Sequence, residues 1–185
     1  YGASSSPVDS VNLAMDAASH HADVFVATAA GNSGSDVSKS APNLNGLSVG
    51  AVKEDTHEIA SFSSRGVQGG RAFPVICANG VSTDMAKRDD EYSDYVSDGT
   101  SMASPQVCGA ATLVRGAMRS LRASEMRAIL LASADASPGT ASGLTSTGPG
   151  AGYLRDDVAH KLASTAGAYG RASLSNSTSV WRRNI

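Results

Sequence analysis

The sequence predicts an α/β domain with three layers, in which a parallel sheet is flanked by helices on both faces. Continuous apolar runs at residues 24–30 and 47–52 have the composition of strands that are buried on both sides. Segments with helical spacing of apolar residues alternate with such runs, and this alternation is typical of a parallel sheet. The length of 185 residues is enough for one such domain with its own core.

The composition excludes several other classes of protein. Apolar residues make up 41% of the chain and charged residues 17%, whereas disordered chains combine few apolar residues with high net charge. The formal net charge of −2 offers no basic surface for nucleic acid. No apolar run approaches the ~20 residues of a membrane span. We therefore expect neither nucleic acid nor a membrane as a partner.

The first predicted helix begins at Ser6, which can cap it, with Pro7 in the first position and Asp9 completing the capping pattern. The helix ends at His20 and His21, where imidazolium groups would suit the negative end of the helix dipole. Its apolar face is predicted to consist of Val8, Val11, Ala14, Met15 and Ala18.

Four strands are predicted after this helix, at residues 24–30, 47–52, 59–62 and 73–78. The first of them ends at the turn residues 31–34. Residues 79–98 are polar and hold a mixed charge cluster at 87–91, which predicts a solvated loop.

Two helices are predicted in the second half of the chain. One runs from Ser101 to Arg119, and its first part is apolar nearly all round, which predicts burial inside the protein. The next is expected to be capped by Ser124 and to end at Ala134. Its apolar face is predicted to consist of Met126, Ile129 and Leu130.

A loop at residues 138–152 and a last helix at 154–163 complete the predicted domain. Residues 1–164 are assigned to this domain. Residues 165–185 are assigned to a polar tail, in which Trp181 is the large apolar side chain.

The two cysteines, Cys77 and Cys108, are too few for a disulfide scaffold, and their spacing is not that of a metal site. Each lies in an apolar stretch, which favours two buried thiols. A single disulfide between a strand and a helix is the alternative.

Residues 99–105, Gly-Thr-Ser-Met-Ala-Ser-Pro, are the most informative segment. They deliver Ser101 to the start of an apolar helix, and Pro105 is expected in the first turn, where a missing N–H costs nothing. The serine oxygen then lies beside the positive end of the helix dipole, which suits a nucleophile. Asn32 follows a predicted strand and can meet Ser101 at the carboxyl edge of the sheet. Taken alone, the serine could be a helix cap and the asparagine a turn residue.

Several blocks of the sequence resemble those of the subtilisin-like serine peptidases, the subtilases. Residues 99–105 resemble the family's nucleophile motif, and residues 29–32, Ala-Ala-Gly-Asn, resemble its oxyanion motif. Residues 61–66, 78–80 and 152–154 resemble further blocks in the family's order, with asparagine at 79 where proline is usual. The resemblance extends over residues 1–163, and it implies that residues 1–164 are the C-terminal part of a subtilase catalytic domain.

The resemblance implies roles for individual residues. Ser101 would be the nucleophile that attacks a peptide carbonyl. Asn32 would donate its side-chain amide to the oxyanion, together with the backbone N–H of Ser101. The substrate would be an extended peptide laid along the strand edge at residues 29–32. Walls of its first specificity pocket and other substrate contacts are expected at Ala29, Ala30, Gly31, Gly2 and Thr100.

No cofactor is assigned from the residues themselves. Subtilases often bind calcium, but the acidic residues between 84 and 94 lack the glycine turn and the closing glutamate of a dedicated calcium loop. No metal ligand is therefore named, and calcium stays an implication of the resemblance. The resemblance also favours a secreted or secretory-pathway location.

The chain lacks the other two catalytic residues of the family. A subtilase orders its triad as aspartate, histidine and serine, and both partners precede the oxyanion asparagine by a long stretch. None of the four histidines is followed by Gly-Thr, which is the family's setting. We therefore expect an N-terminal chain of the same protease to carry the aspartate and the histidine.

Three explanations of the missing residues stay open. The chain could be the C-terminal product of a cleavage that leaves the N-terminal chain bound, or the sequence could cover part of a longer chain. In the third, the protein is a catalytically inactive module of subtilase shape that binds or scaffolds. Intact Ser101 and Asn32 favour a serine endopeptidase over this alternative.

Overall fold

The computed structural model describes residues 9–35, 37–38, 41–87, 90–136, 148, 150–165 and 167–168, with backbone alone at 90–94. The described helices are α1 (Ser10–His21), α2 (Thr100–Ala117), α3 (Ala123–Ser133) and α4 (Asp156–Ser164). The described strands are β1 (Ala27–Ala29), β2 (Leu47–Val52), β3 (Gly66–Gln68), β4 (Arg71–Phe73), β5 (Ile76–Asn79), β6 (Thr83–Lys87) and β7 (Asp90–Ser97).

A parallel sheet in the order β1–β2–β5 forms the centre of the described structure. All six residues of β2 are buried, as the continuous apolar run predicted. One further ladder bond, from Ala30 N to Val49 O at 2.9 Å, extends the β1–β2 pairing by a residue. The carboxyl ends of these strands therefore lie at the same edge of the sheet.

Helix α2 lies across all three strands of this sheet, and α3 and α4 pack against α2. Val107 and Val114 of α2 are fully buried against Leu47, Val49 and Ile76. On the other face of the sheet, Gly50 is close to Pro74 and Ser63. The parallel sheet with its packed helices confirms the predicted α/β class.

Helix α1 begins later than predicted and buries a different face. Asp9 is its N-cap, and the Asp9 carboxylate accepts a hydrogen bond from Val11 N at 3.0 Å; residues 6 and 7 lie outside the described part. The side chains of Val11 and Leu13 are 52% exposed, whereas Asn12 is buried. The predicted apolar face is therefore wrong. Within the described structure, α1 packs mainly on α3 and has no sheet beneath that face.

Three predicted strands are shorter in the structure. The run at 24–30 contributes three residues to β1, because Val24 lies outside the sheet and is 46% exposed. At 59–62, an isolated bridge joins Ile59 to Val52. The run at 73–78 is divided at Pro74, which has no N–H for a ladder, so that β4 ends before it and β5 starts after it.

The predicted solvated loop at 79–98 is wrong, because β6 and β7 form an antiparallel hairpin there. Along β6, Thr83 and Met85 are half-buried, whereas Asp84 is exposed. An antiparallel pair needs only one covered face, so a polar segment can form it. A second short hairpin, β3–β4, was also not predicted.

The positions of the later helices are close to those predicted. Met126, Ile129 and Leu130 of α3 are buried as expected, but Arg122 is its N-cap, not Ser124. The backbone N–H of Arg122 donates to the Glu125 carboxylate at 2.7 Å, which caps the helix in place of the serine. Most of the predicted loop at 138–152 and of the tail at 165–185 lies outside the described residues.

The prediction that α2 is apolar and buried all round is wrong on one side. Leu113 is 53% exposed, and the thiol of Cys108 is also at the surface. Both cysteines are free, so neither two buried thiols nor a disulfide describes them. Cys77 is buried, and this burial raises the pKa of its thiol to about 12.

The longest described helix, α2, has 18 residues, and none of the described helices is apolar enough over such a length to cross a membrane.

Candidate active site

Ser101 is the second residue of α2 and is exposed to solvent. Gly99 is the N-cap, and its φ of +149° lies in a region that residues with side chains rarely adopt. Pro105 lies inside the helix and not in its first turn as predicted. Its ring nitrogen has no proton to donate to the carbonyl four residues earlier, which belongs to Ser101. The Ser101 carbonyl therefore lacks the usual helical hydrogen bond from the residue four positions later.

Asn32 lies two residues beyond the last described ladder bond of β1. Gly31, with a φ of +111°, turns the chain there, and Asn32 is exposed at the carboxyl edge of the sheet. As predicted, the end of this strand brings Asn32 to the start of α2, where it contacts Thr100.

Thr100 orients the carboxamide of Asn32. The Oδ1 atom of Asn32 accepts two hydrogen bonds, one from Thr100 N and one from Thr100 Oγ1, both at 2.9 Å. The Thr100 hydroxyl in turn accepts from Gly31 N at 3.2 Å. Because a backbone N–H can only donate, these contacts determine which end of the carboxamide is the oxygen. The Nδ2 group is thereby turned away from Thr100, with its protons available.

Two N–H donors flank the same space beside Gly99. A methyl group added to Gly99 would lie 3.3 Å from Asn32 Nδ2 and 3.7 Å from Ser101 N. Neither nitrogen has a hydrogen-bond acceptor among the described residues. Two convergent donors that are fixed before a substrate arrives can stabilise negative charge that develops on an oxygen.

Gly80 holds the loop before Ser101 against β2. Gly99 N donates to Gly80 O at 2.8 Å, and Gly80 N donates to Val52 O at 3.0 Å. A Cβ on Gly80 would lie 2.5 Å from Ala51 Cβ and 2.8 Å from Gly99 O, which is too close for any larger residue without displacement. This glycine therefore sets the distance between the sheet and the start of α2.

Sequence reasoning missed the contribution of Gln106. Its Nε2 donates to Asn79 O at 2.8 Å and to Met102 O at 3.0 Å, so it ties the end of β5 to the first turn of α2. Asn79 also donates to the Glu54 carboxylate at 3.3 Å. The local sequence held no signal for the contact with Gln106, because Asn79 takes part through its backbone carbonyl, which a proline would also supply.

The residues predicted to bind substrate are only partly placed. Gly2 lies outside the described residues. The carbonyls of residues 29–31 are already bonded, to Ser38 Oγ, Ser38 N and Ser64 N respectively. These carbonyls are therefore not a free strand edge for a peptide, and the role of Ala29, Ala30 and Gly31 as a pocket wall stays a prediction. Thr100 is 1% exposed and supports Asn32, and its predicted contact with substrate stays a prediction.

No histidine approaches the serine in the described structure. All four histidines are described, and none forms a hydrogen bond with Ser101. His57 instead stacks on Tyr153 with ring centroids 4.0 Å apart. Among the described residues, no group of three or more His, Cys, Asp and Glu side chains could hold a metal ion. The acidic side chains of 90–94 lie outside that part.

Comparisons with known proteins agree with the motif blocks. The family model of the subtilase family matches residues 1–167. Subtilisin-like protease PopC from Myxococcus xanthus (strain DK1622) is 38% identical over 137 residues, which are 71% of this chain and 28% of PopC. Subtilisin BL from Lederbergia lenta is 37% identical over 113 residues, 60% of this chain and 39% of that protein.

A solved structure, described as the self-cleaved protease domain of PatA, has a TM-score of 0.66 and 27% identity to this chain. It matches 82% of this chain, which covers 54% of the PatA chain. The chain thus spans 28% and 39% of the two curated relatives and about half of this solved domain. A match of the family model over nine-tenths of the sequence, with the fold and the motif geometry in agreement, shows that the chain belongs to the subtilase family.

Proposed function

We propose that the chain is the nucleophile-bearing part of a serine endopeptidase. Ser101 Oγ attacks the carbonyl carbon of a peptide bond, and the carbonyl oxygen becomes an oxyanion that accepts hydrogen bonds from Asn32 Nδ2 and Ser101 N. The observation that carries this proposal is the pair of bonds from Thr100 to Asn32 Oδ1, which orients the carboxamide so that Nδ2 lies nearer than Oδ1 to the space beside Gly99. A mere turn residue would need no such orientation.

The proton of the serine hydroxyl needs an acceptor from outside this chain. In the triad mechanism a histidine takes that proton and returns it to the leaving amine, and an aspartate orients the histidine. The acyl group stays on Ser101 until water, activated by the same histidine, releases it. A segment of the same protease would supply both residues, since the family places them before the oxyanion asparagine.

A surface suited to such a segment lies beside the site. We call it the open face: the unpaired edge of β1 and the side of α2 that carries Cys108, Gly109, Leu113 and Gly116. In the described part, β1 pairs with β2 alone, and nothing lies within 4 Å of a methyl added at either glycine. A groove of about 540 Å³ runs between α2 and Phe25. Parallel sheets and apolar helix faces are normally covered, which favours a packed segment here.

Thiol labelling tests this surface, because one cysteine lies on the open face and the other does not. In this chain alone, we expect maleimide to modify Cys108 quickly and to spare Cys77, whose thiolate is scarce because its pKa is about 12. In the complete protease, we expect Cys108 to be protected as well. Modification is located by peptide mass spectrometry.

The second cysteine is the internal control for this experiment. If the isolated chain does not fold, Cys77 reacts too, and its labelling reports that condition directly. Equal reactivity of Cys108 in the chain and in the complete protease would show that no segment covers the open face.

A fluorophosphonate probe tests the peptidase itself. We expect strong labelling of Ser101 in the complete protease and weak labelling in this chain alone, because the serine needs a base to become nucleophilic. Addition of the separately produced N-terminal segment to the chain should restore labelling. Absence of labelling in the complete protein would instead support the inactive module of subtilase shape.

A further inference from the structure

A cavity of about 370 Å³ lies at the end of the sheet remote from Ser101. Its lining includes Arg127 of α3, whose Nε donates to Gly46 O at 3.0 Å, directly before β2 begins. Asn32, by contrast, follows the carboxyl end of β1, which runs parallel to β2. The cavity is therefore separate from the candidate active site. Its volume falls within the range of about 300–1,000 Å³ that is usual for small-molecule pockets.

Two guanidinium groups, those of Arg71 and Arg127, line this cavity, and none of its described lining residues is acidic. Burial and the charge of Arg71 both lower the pKa of Arg127, while Asp16 opposes them. Asp16 Oδ1 already accepts the backbone N–H groups of Leu44 and Asn45, at 2.8 and 2.7 Å. Two like charges thus share one cavity without a carboxylate in it.

Arg127 has donors to spare. A guanidinium carries five N–H donors. Among the described residues, the hydrogen bond of Arg127 Nε to Gly46 O is the one that this side chain makes. A partly buried cation with unused donors is a costly arrangement unless an anion binds it. Arg71 is exposed at the start of β4, where its side chain can reach the same anion.

The remaining walls of the cavity are largely apolar. Phe73 and Val75 are buried, and Leu44 and Ala72 are half-buried. Such walls suit an aliphatic group, and they disfavour a strongly hydrated, doubly charged phosphate. Planar carboxylates match the paired donors of a guanidinium.

We propose that this cavity binds an aliphatic carboxylate, with the carboxylate between Arg71 and Arg127 and the aliphatic body against Leu44, Phe73 and Val75. A short fatty acid and the C-terminus of a polypeptide that ends in an aliphatic residue share this chemistry.

Calorimetric titration of the complete protease tests the proposal, with hexanoate as the ligand and hexanamide as its neutral counterpart. We expect saturable binding of hexanoate and binding of hexanamide at least about tenfold weaker, since the neutral amide has a single acceptor oxygen and cannot form the charged, bidentate pair with a guanidinium. N-acetyl-leucine distinguishes the two sources: tighter binding than hexanoate points to a polypeptide terminus, and weaker binding points to a fatty acid. Inorganic phosphate should bind more weakly than either carboxylate.

Three variants locate the binding. Arg71→Gln should weaken hexanoate binding about tenfold or more, and because Arg71 is exposed, this variant should fold normally. Arg127→Gln should do the same, but it also removes the bond to Gly46. Lys161→Gln, at an exposed cation of α4, is the matched control and should change nothing. Equal binding of hexanoate and hexanamide, or equal effects of R71Q and K161Q, would overturn the proposal.

Fluorophosphonate labelling of Ser101 in the same samples separates this question from the peptidase. The cavity is remote from the serine, so labelling should be unchanged in R71Q. Failure of hexanoate to bind while Ser101 is labelled would reject the anion site and leave the peptidase intact.

Discussion

Replacement of Ser101 by alanine in the complete protease is expected to lower the turnover number for peptide hydrolysis by about six orders of magnitude. The size of this loss is the one measured for the nucleophile of subtilisin, which belongs to the same family. The physical reason is that alanine has no hydroxyl to form the acyl-enzyme, and the neighbouring Thr100 hydroxyl is buried and already bonded to Asn32 Oδ1 and Gly31 N. Hydrolysis of a chromogenic peptide, with active-site titration of the wild type, measures the effect.

Ser104→Ala is the matched control for this substitution. Ser104 is half-buried in the same helix but does not lie at its N-terminus, so we expect nearly unchanged turnover. Both variants should unfold at temperatures close to that of the wild type. A loss as large for S104A as for S101A would show that α2 as a whole, and not one hydroxyl, had been disturbed.

The sequence predicted those elements whose packing partners lie within this chain. Strand β2 has the predicted bounds because both of its faces and both of its edges are covered here, so its residues are apolar or small throughout. Met126, Ile129 and Leu130 were assigned to the buried face of α3 for the same reason. In such segments, the amino-acid composition alone indicates which residues are buried.

Helix α1 and the open face of α2 were predicted less well. Val11 and Leu113 are apolar, and apolar spacing alone would bury them. In the described structure they are half-exposed, because burial depends on a neighbour and not on the residue itself. The same reasoning applies to Cys108, whose apolar surroundings in sequence indicated a buried thiol. Apolar side chains that are exposed in this way indicate a surface that another segment covers.

The β6–β7 hairpin was missed for another reason. The mixed charges at residues 87–91 of the sequence favour a solvated loop, whereas the alternation of half-buried Thr83 and Met85 with exposed Asp84 is that of a strand. Pairing along its length is decided by backbone hydrogen bonds between two strands, which composition does not report.

The candidate site was predictable in its identity but not in its geometry. Ser101 and Asn32 could be named because a helix start and a strand end are readable from local sequence. The orientation of Asn32 by Thr100 could not be predicted, because it depends on a contact between Gly31 and Thr100, which are 69 positions apart in the sequence. The close approach of Gly80 to Gly99 likewise depends on a distance in three dimensions.

Asn32→Ala should reduce the turnover number by about two to three orders of magnitude, with a much smaller change in KM. The magnitude is again that known for subtilisin, and it corresponds to about 2.7–4 kcal/mol of transition-state stabilisation. The alanine cannot donate to the oxyanion, whereas the ground-state peptide loses little, so kcat carries the effect. A rise in KM with unchanged kcat would reject the assigned role of Asn32.

A second substitution, measured in the same assay, tests whether Thr100 acts through Asn32. Thr100→Val keeps the shape of the buried side chain but removes the hydroxyl that donates to Asn32 Oδ1. If the hydroxyl acts by orienting the amide, T100V should lower kcat in the wild type and have little further effect in the N32A background. Contacting residues of this kind give non-additive effects in a double-mutant cycle. Additive losses would mean that Thr100 acts on the substrate or on the stability of α2 independently of Asn32.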